Sequence, residues 1–102
     1  MTNAERAWID AMLQIGCIVC RLFLRVFSPA ECHHMLRGGR RRGHLFTLPL
    51  CMVHHRGGRD DAEIVSRDQS QRRFEARYGT EDSLLGKTRE MVEKQFGLKV
   101  AA

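Results

Sequence analysis

The chain has 102 residues and a formal net charge of +5, with 28% charged side chains. That length allows one domain with a modest core, and no apolar run approaches the roughly 20 residues of a membrane span. The charge is concentrated: residues 21–59 carry eight arginines and one glutamate, for +7, whereas residues 1–20 and 60–102 each sum to −1.

Residues 2–15 read as a helix. Thr2 followed by Glu5 is a capping-box pair, and Ala7, Trp8, Ala11, Met12 and Ile15 recur at helical spacing. Polar Asn3, Glu5, Arg6, Asp10 and Gln14 are spaced through the same stretch, which does not suit a secretory leader. A reducing, cytoplasmic location is therefore expected, with the cysteines free rather than in disulfides. Gly16 can end the helix and deliver Cys17-Ile-Val-Cys20 as a tight knuckle. Residues 18–29 are expected to form an irregular or extended connection.

Strands are expected over Glu31–Leu36 and Leu45–Cys51, joined by a glycine- and arginine-rich loop, Arg37–Gly43. Pro49 suits the end of a short ribbon better than a central strand. A helix from Met52 would carry His54 and His55 until Gly57-Gly58 weakens it. Two further helices are predicted, over 69–78 with Asp68 as N-cap and over 83–96, where Leu84, Leu85, Met91, Val92 and Phe96 can share a side.

All four cysteines and all five histidines lie between Cys17 and His55. Nine soft or borderline ligands exceed what one tetrahedral ion can use. Cys17-x-x-Cys20 and Cys51-x-x-His54 are two similarly spaced pairs, and together they propose a structural Cys3His zinc site. A thioredoxin-like redox role for Cys17 and Cys20 would need an α/β unit that the pattern lacks. Cys32 could replace His54 in the zinc site or point into the core. In a strand, Cys32 and His34 share one face and His33 takes the other, so the two adjacent histidines should have different roles.

Glu31-Cys32-His33-His34-Met35, the basic loop, and Leu48-Pro49-Leu50-Cys51-Met52-Val53-His54-His55 together resemble the HNH, or ββα-metal, nuclease motif. Over residues 17–60 the chain is most similar to small prophage proteins of the Ref type, which are RecA-dependent recombination-enhancement nucleases. The resemblance implies a small α+β fold, a ββα-metal finger with structural zinc, flanked by N-terminal and C-terminal helices in a single domain, 1–102. It also implies a metal-dependent DNA endonuclease of phage or prophage origin.

In that reading His33 and His55 hold the catalytic cation, His34 is the general base, and Cys17, Cys20, Cys51 and His54 form the knuckles. The motif's asparagine has no counterpart, and His44 is the nearest residue to its place. A further ligand expected four residues after His55 falls on Arg59, so either Asp60 or Asp61 supplies a carboxylate or water fills the coordination sphere. The cation could be Mg²⁺, Mn²⁺ or a second Zn²⁺. Arg40, Arg41 and Arg42 are expected to meet DNA phosphates, with Arg56 and Arg59 beside the site. The resemblance adds a RecA-type recombinase filament as a partner and leaves monomer or dimer open. The competing reading is a non-catalytic zinc module that binds nucleic acid or a phage or recombination protein.

Overall fold

The computed structural model describes residues 1–57 and 64–100. Helix α1 spans Asn3–Ile15, and the expected capping box is present: Thr2 Oγ1 accepts from the Glu5 N–H while the Glu5 carboxylate accepts from the Thr2 N–H. Trp8, Ala11, Met12 and Ile15 are buried along one face, whereas Ala7 is exposed. The chain then differs from the expected irregular connection. Residues 18–24 are helical, ending in a π-type turn over Cys20–Leu24 that Arg25 closes in the left-handed region at φ 56°.

The two helical pieces, broken at Gly16-Cys17, lie within Asn3–Leu24, a stretch of 22 residues that is long and apolar enough to cross a bilayer by length and composition, contrary to the sequence expectation. Half of its most apolar window is buried inside the protein. The apolar face covers the protein's own core.

Strands β1, Glu31–His34, and β4, Thr47–Leu50, pair antiparallel, with His33 opposite Leu48 and His34 opposite Thr47. Pro49 is opposite Cys32 in this two-stranded ribbon, where its missing donor can face away from the partner. Between the two strands lies a second small ribbon rather than an open loop. Strands β2, Leu36–Arg37, and β3, Arg40–Arg41, form a hairpin around Gly38-Gly39, whose φ values are 58° and 79°. Two consecutive positive φ angles are what a tight two-residue hairpin turn requires, and glycine adopts them without steric cost.

Helix α2, Met52–His55, follows β4 directly and is followed by Gly57 at φ 93°. Helix α3 runs Gln71–Tyr78 and α4 runs Glu81–Phe96. Both starts differ from those predicted. Ser70 caps α3 by accepting from the Arg73 N–H, and Thr80 caps α4 by accepting from the Ser83 N–H. Asp68 is therefore not an N-cap, and α4 begins two residues early with Glu81 and Asp82 in its first turn. Leu84, Leu85 and Val92 of α4 are buried, Met91 is partly buried, and Phe96 remains exposed.

Apolar side chains from α1, β4, α3 and α4 meet in one cluster built around Trp8, Met12, Leu48, Phe74 and Leu84. Trp8 needs a partner for its indole N–H at full burial, and Thr47 Oγ1 accepts it at 2.8 Å. The same hydroxyl donates to the His44 carbonyl at 3.1 Å, so one side chain ties α1 to β4 and to the segment before it. Thr47→Val keeps the shape and removes both bonds. At saturating zinc it should lower unfolding stability by about 1–3 kcal/mol, read as a lower denaturation midpoint.

Candidate metal centres and basic groove

Cys17, Cys20, Cys51 and His54 converge although 37 residues separate the first from the last. The approach of the first knuckle depends on Gly16, at φ 81°, where an added Cβ would sit 2.8 Å from the Ser28 carbonyl oxygen. That carbonyl also accepts the Cys17 N–H, so the main chain passes close to itself just before the ligands. Cys51 caps α2, its sulfur accepting the His54 N–H at 3.5 Å, which fixes the second pair.

The spacings fit one ion. Cys20 Sγ lies 3.9 Å from Cys51 Sγ, and His54 Nδ1 lies 3.9, 3.6 and 3.2 Å from the sulfurs of Cys17, Cys20 and Cys51. A tetrahedral zinc with Zn–S of about 2.3 Å and Zn–N of about 2.0–2.1 Å spaces two sulfurs by about 3.8 Å and sulfur from nitrogen by about 3.5 Å. Burial pushes the Cys17 thiol up to about 12 and raises Cys20, and burial lowers His54. These are groups whose thiolate form calls for a nearby cation, beside an imidazole kept neutral as ligation requires. The four residues can therefore hold a metal ion such as zinc. Cys32 lies apart, 4.0 Å from His34 Nδ1 on the same side of β1, and takes no part in this cluster.

A second set, His33, His55 and Asp68, also brings its ligand atoms within 4.8 Å of one another. His33 is on the buried side of β1, at 5% exposure, and its ring meets that of His55 edge-on at 5.1 Å. His55 Nδ1 donates to Glu31 Oε1 at 2.8 Å, so its Nε2 is left as the bare nitrogen, 3.9 Å from Asp68 Oδ2. Two ligands on a four-coordinate ion stand about 3.4 Å apart, a small closure from that value. Asp60, the carboxylate expected from sequence, lies outside the described residues, as do Asp61 and Arg59. Asp68 supplies a carboxylate where the sequence suggested only a helix cap.

His34 projects to the other face of β1. Its Nε2 is 3.2 Å from His44 Nδ1, and the two rings meet edge-on. Burial, with the positive charge of Arg41 and the neighbouring histidines, holds His34 below the ordinary histidine value. Such an imidazole is neutral near pH 7, with one nitrogen free to accept a proton.

The arginines divide. Arg37, Arg40, Arg41 and Arg42 line one groove on the hairpin together with Phe46. Arg42 stacks over the Phe46 ring at 4.3 Å and pairs with Asp82 at 2.8 Å, while Arg89 approaches the same ring at 5.5 Å. Arg56 is instead bidentate on Glu31, at 2.9 and 2.6 Å, and that contact holds the Glu31 carboxyl below its usual range. Sequence reasoning missed Arg37, Phe46, Asp68, Glu81 and Arg89 in these surroundings. An isolated acid or arginine carries no spacing signal, and only the fold brings each into place.

These features define a small α+β protein with short antiparallel strands, an arginine-lined groove and, among the described residues, two clusters of side chains that could hold a metal ion. The chain belongs to the family described as recombination enhancement, RecA-dependent nuclease, whose model matches residues 1–93. Comparison with curated proteins gave no match. The family description ties the protein to nuclease activity, to recombination and to RecA.

Removing metal should test the two clusters separately. A strong chelator is expected to unfold the protein reversibly, read by far-UV circular dichroism, because the Cys3His cluster links distant segments. Cys20→Ser should lose one tightly bound zinc per chain by metal analysis, whereas His33→Ala should retain it.

Proposed function

We propose that the protein is a metal-dependent DNA endonuclease of the HNH, ββα-metal type, with Zn²⁺ in the Cys3His cluster and a catalytic divalent cation at His33, His55 and Asp68. The observation that carries this reading is the division of the histidines across β1. His33 is brought together with His55 and the exposed Asp68, and the adjacent His34 faces His44 on the opposite side. One imidazole cannot accept a proton and bind a cation through the same nitrogen, and consecutive strand residues separate the two tasks.

The cation would supply positive charge against the phosphate oxygens during hydrolysis. The protein's side chains do the rest. In this reading His34 donates its Nε2–H to His44 Nδ1, 3.2 Å away, and its lone pair on Nδ1 takes the proton of the attacking water. The water oxygen forms a bond to phosphorus as the P–O ester bond breaks, and the departing oxygen is protonated from solvent. His44 orients His34, the task that the family motif gives to an asparagine. Arg37, Arg40, Arg41 and Arg42 bind backbone phosphates without selecting a sequence, so the groove fixes where the strand lies. The cytoplasm of a bacterial host and a RecA-type filament on DNA are the setting this reading implies, with the chain acting as one domain.

A supercoiled-plasmid nicking assay with Mg²⁺, Mn²⁺ or Zn²⁺, with and without a RecA filament, tests the reading. His34→Ala should lower nicking by about 10²–10⁴-fold while leaving the fold and the tightly bound zinc intact. His44→Ala should reduce the rate without abolishing it. Nicking that persists in His34→Ala removes the proposed base, and a wild-type protein inert under every condition makes the chain a zinc module that binds nucleic acid. Arg40→Ala and Arg41→Ala should each weaken DNA binding uniformly across sequences and lower the salt-dependence slope by roughly one.

A further inference from the structure

The C-terminal helices contribute an interaction that the reaction above does not use. Glu81, in the first turn of α4, is 4% exposed, yet it carries a carboxylate. Burying that charge is costly unless it is paired and hydrogen-bonded, and here each oxygen has a partner. Oε1 meets His33 Nε2 at 2.5 Å and accepts from Arg67 Nε at 3.3 Å, while Oε2 accepts from Gln71 Nε2 at 2.9 Å. The Glu81 main-chain N–H donates to Glu75 Oε2 at 2.7 Å, which fixes the residue from its backbone side as well. Arg67 and two residues of α3 thus hold one carboxylate against one imidazole. That imidazole is 48 residues away in sequence, on β1.

A carboxylate accepts hydrogen bonds, so His33 engages it through Nε2–H. The bare nitrogen is then Nδ1. His55 shows the complementary arrangement: Glu31 accepts from its Nδ1, which leaves Nε2 bare. Two carboxylates, from β1 and from α4, therefore set opposite tautomers on the two imidazoles of one cluster. Such outer carboxylates orient a ligand ring and raise its basicity.

We infer that Glu81 is a positioning residue for the second metal centre: it holds His33 as the Nε2–H tautomer, so that Nδ1 is the atom offered to the cation. This rests on the reading of His33 as a ligand of that centre. It gives the α3–α4 pair a direct part in the site, because Gln71 and Arg67 immobilise Glu81 and Glu81 immobilises the imidazole.

The test uses the full chain with only the Cys3His cluster loaded with zinc. Long-range ¹⁵N NMR of the histidine side chains should show His33 protonated at Nε2 and bare at Nδ1, and Mn²⁺ should broaden the Nδ1 signal first. A His33 protonated at Nδ1, or broadened first at Nε2, overturns the inference. Mn²⁺ titration followed by EPR gives a second readout. Glu81→Ala should bind the second cation about 10–100-fold more weakly while keeping its zinc. His33→Ala is the control that separates the two ideas. Unchanged Mn²⁺ affinity in His33→Ala defeats the metal-site reading itself, whereas weakened binding in His33→Ala with none in Glu81→Ala defeats only the role given to Glu81.

Discussion

The convergence of Cys17 and Cys20 with Cys51 and His54 is the constraint on which the rest of the structure depends. It fastens the end of the first helical stretch to the junction of β4 and α2 and closes a loop that contains both ribbons. A chain of this size has little core to spare, so a cross-link through metal ligands can hold what apolar contact alone would leave marginal. With the junction fixed, β4 has a defined depth, and its pairing with β1 sets which histidine of the His33-His34 pair faces inward.

The local rules of the sequence were readable wherever a short-range pattern controls the outcome. The Thr2/Glu5 capping box, the two knuckles and the alternation of Cys32, His33 and His34 all follow from spacing, and each is found as expected. Harder to read were features set by contacts distant in sequence. Asp68 looks like a helix cap because it precedes a helical run, yet Ser70 makes the capping bond and Asp68 faces His55. Glu81 gives no signal beyond being an acid near a helix start, and its partner is on β1. The helical turns over residues 18–24 belong with these, since contacts to other segments hold them. Arg21 donates to the Ile15 carbonyl across the break, and Arg25 closes the turn.

The two metal-ligand clusters differ in the way their environments prepare them. In the cysteine cluster, burial raises the thiols of Cys17 and Cys20, so these two need a cation to reach their charged form. The histidine cluster is surrounded by carboxylates that already carry charge: Glu31 and Glu81 both remain below their usual range. For Glu81, burial pushes the other way and is outweighed by the bond from His33 and the positive charge of Arg67. A tightly held ion suits the first environment. An exchangeable one suits the second, where ligand orientation does not require the ion to be there.

The Gly38-Gly39 hairpin changes how the arginines can act. A flexible loop bearing the same charges would have to become ordered each time it met a polyanion, and long side chains on a mobile backbone lose much freedom in doing so. Here the backbone of Leu36–Arg41 is already paired, and Arg42 is already stacked on Phe46. The arginines that line the groove are thus presented from a backbone that is ordered before any polyanion arrives.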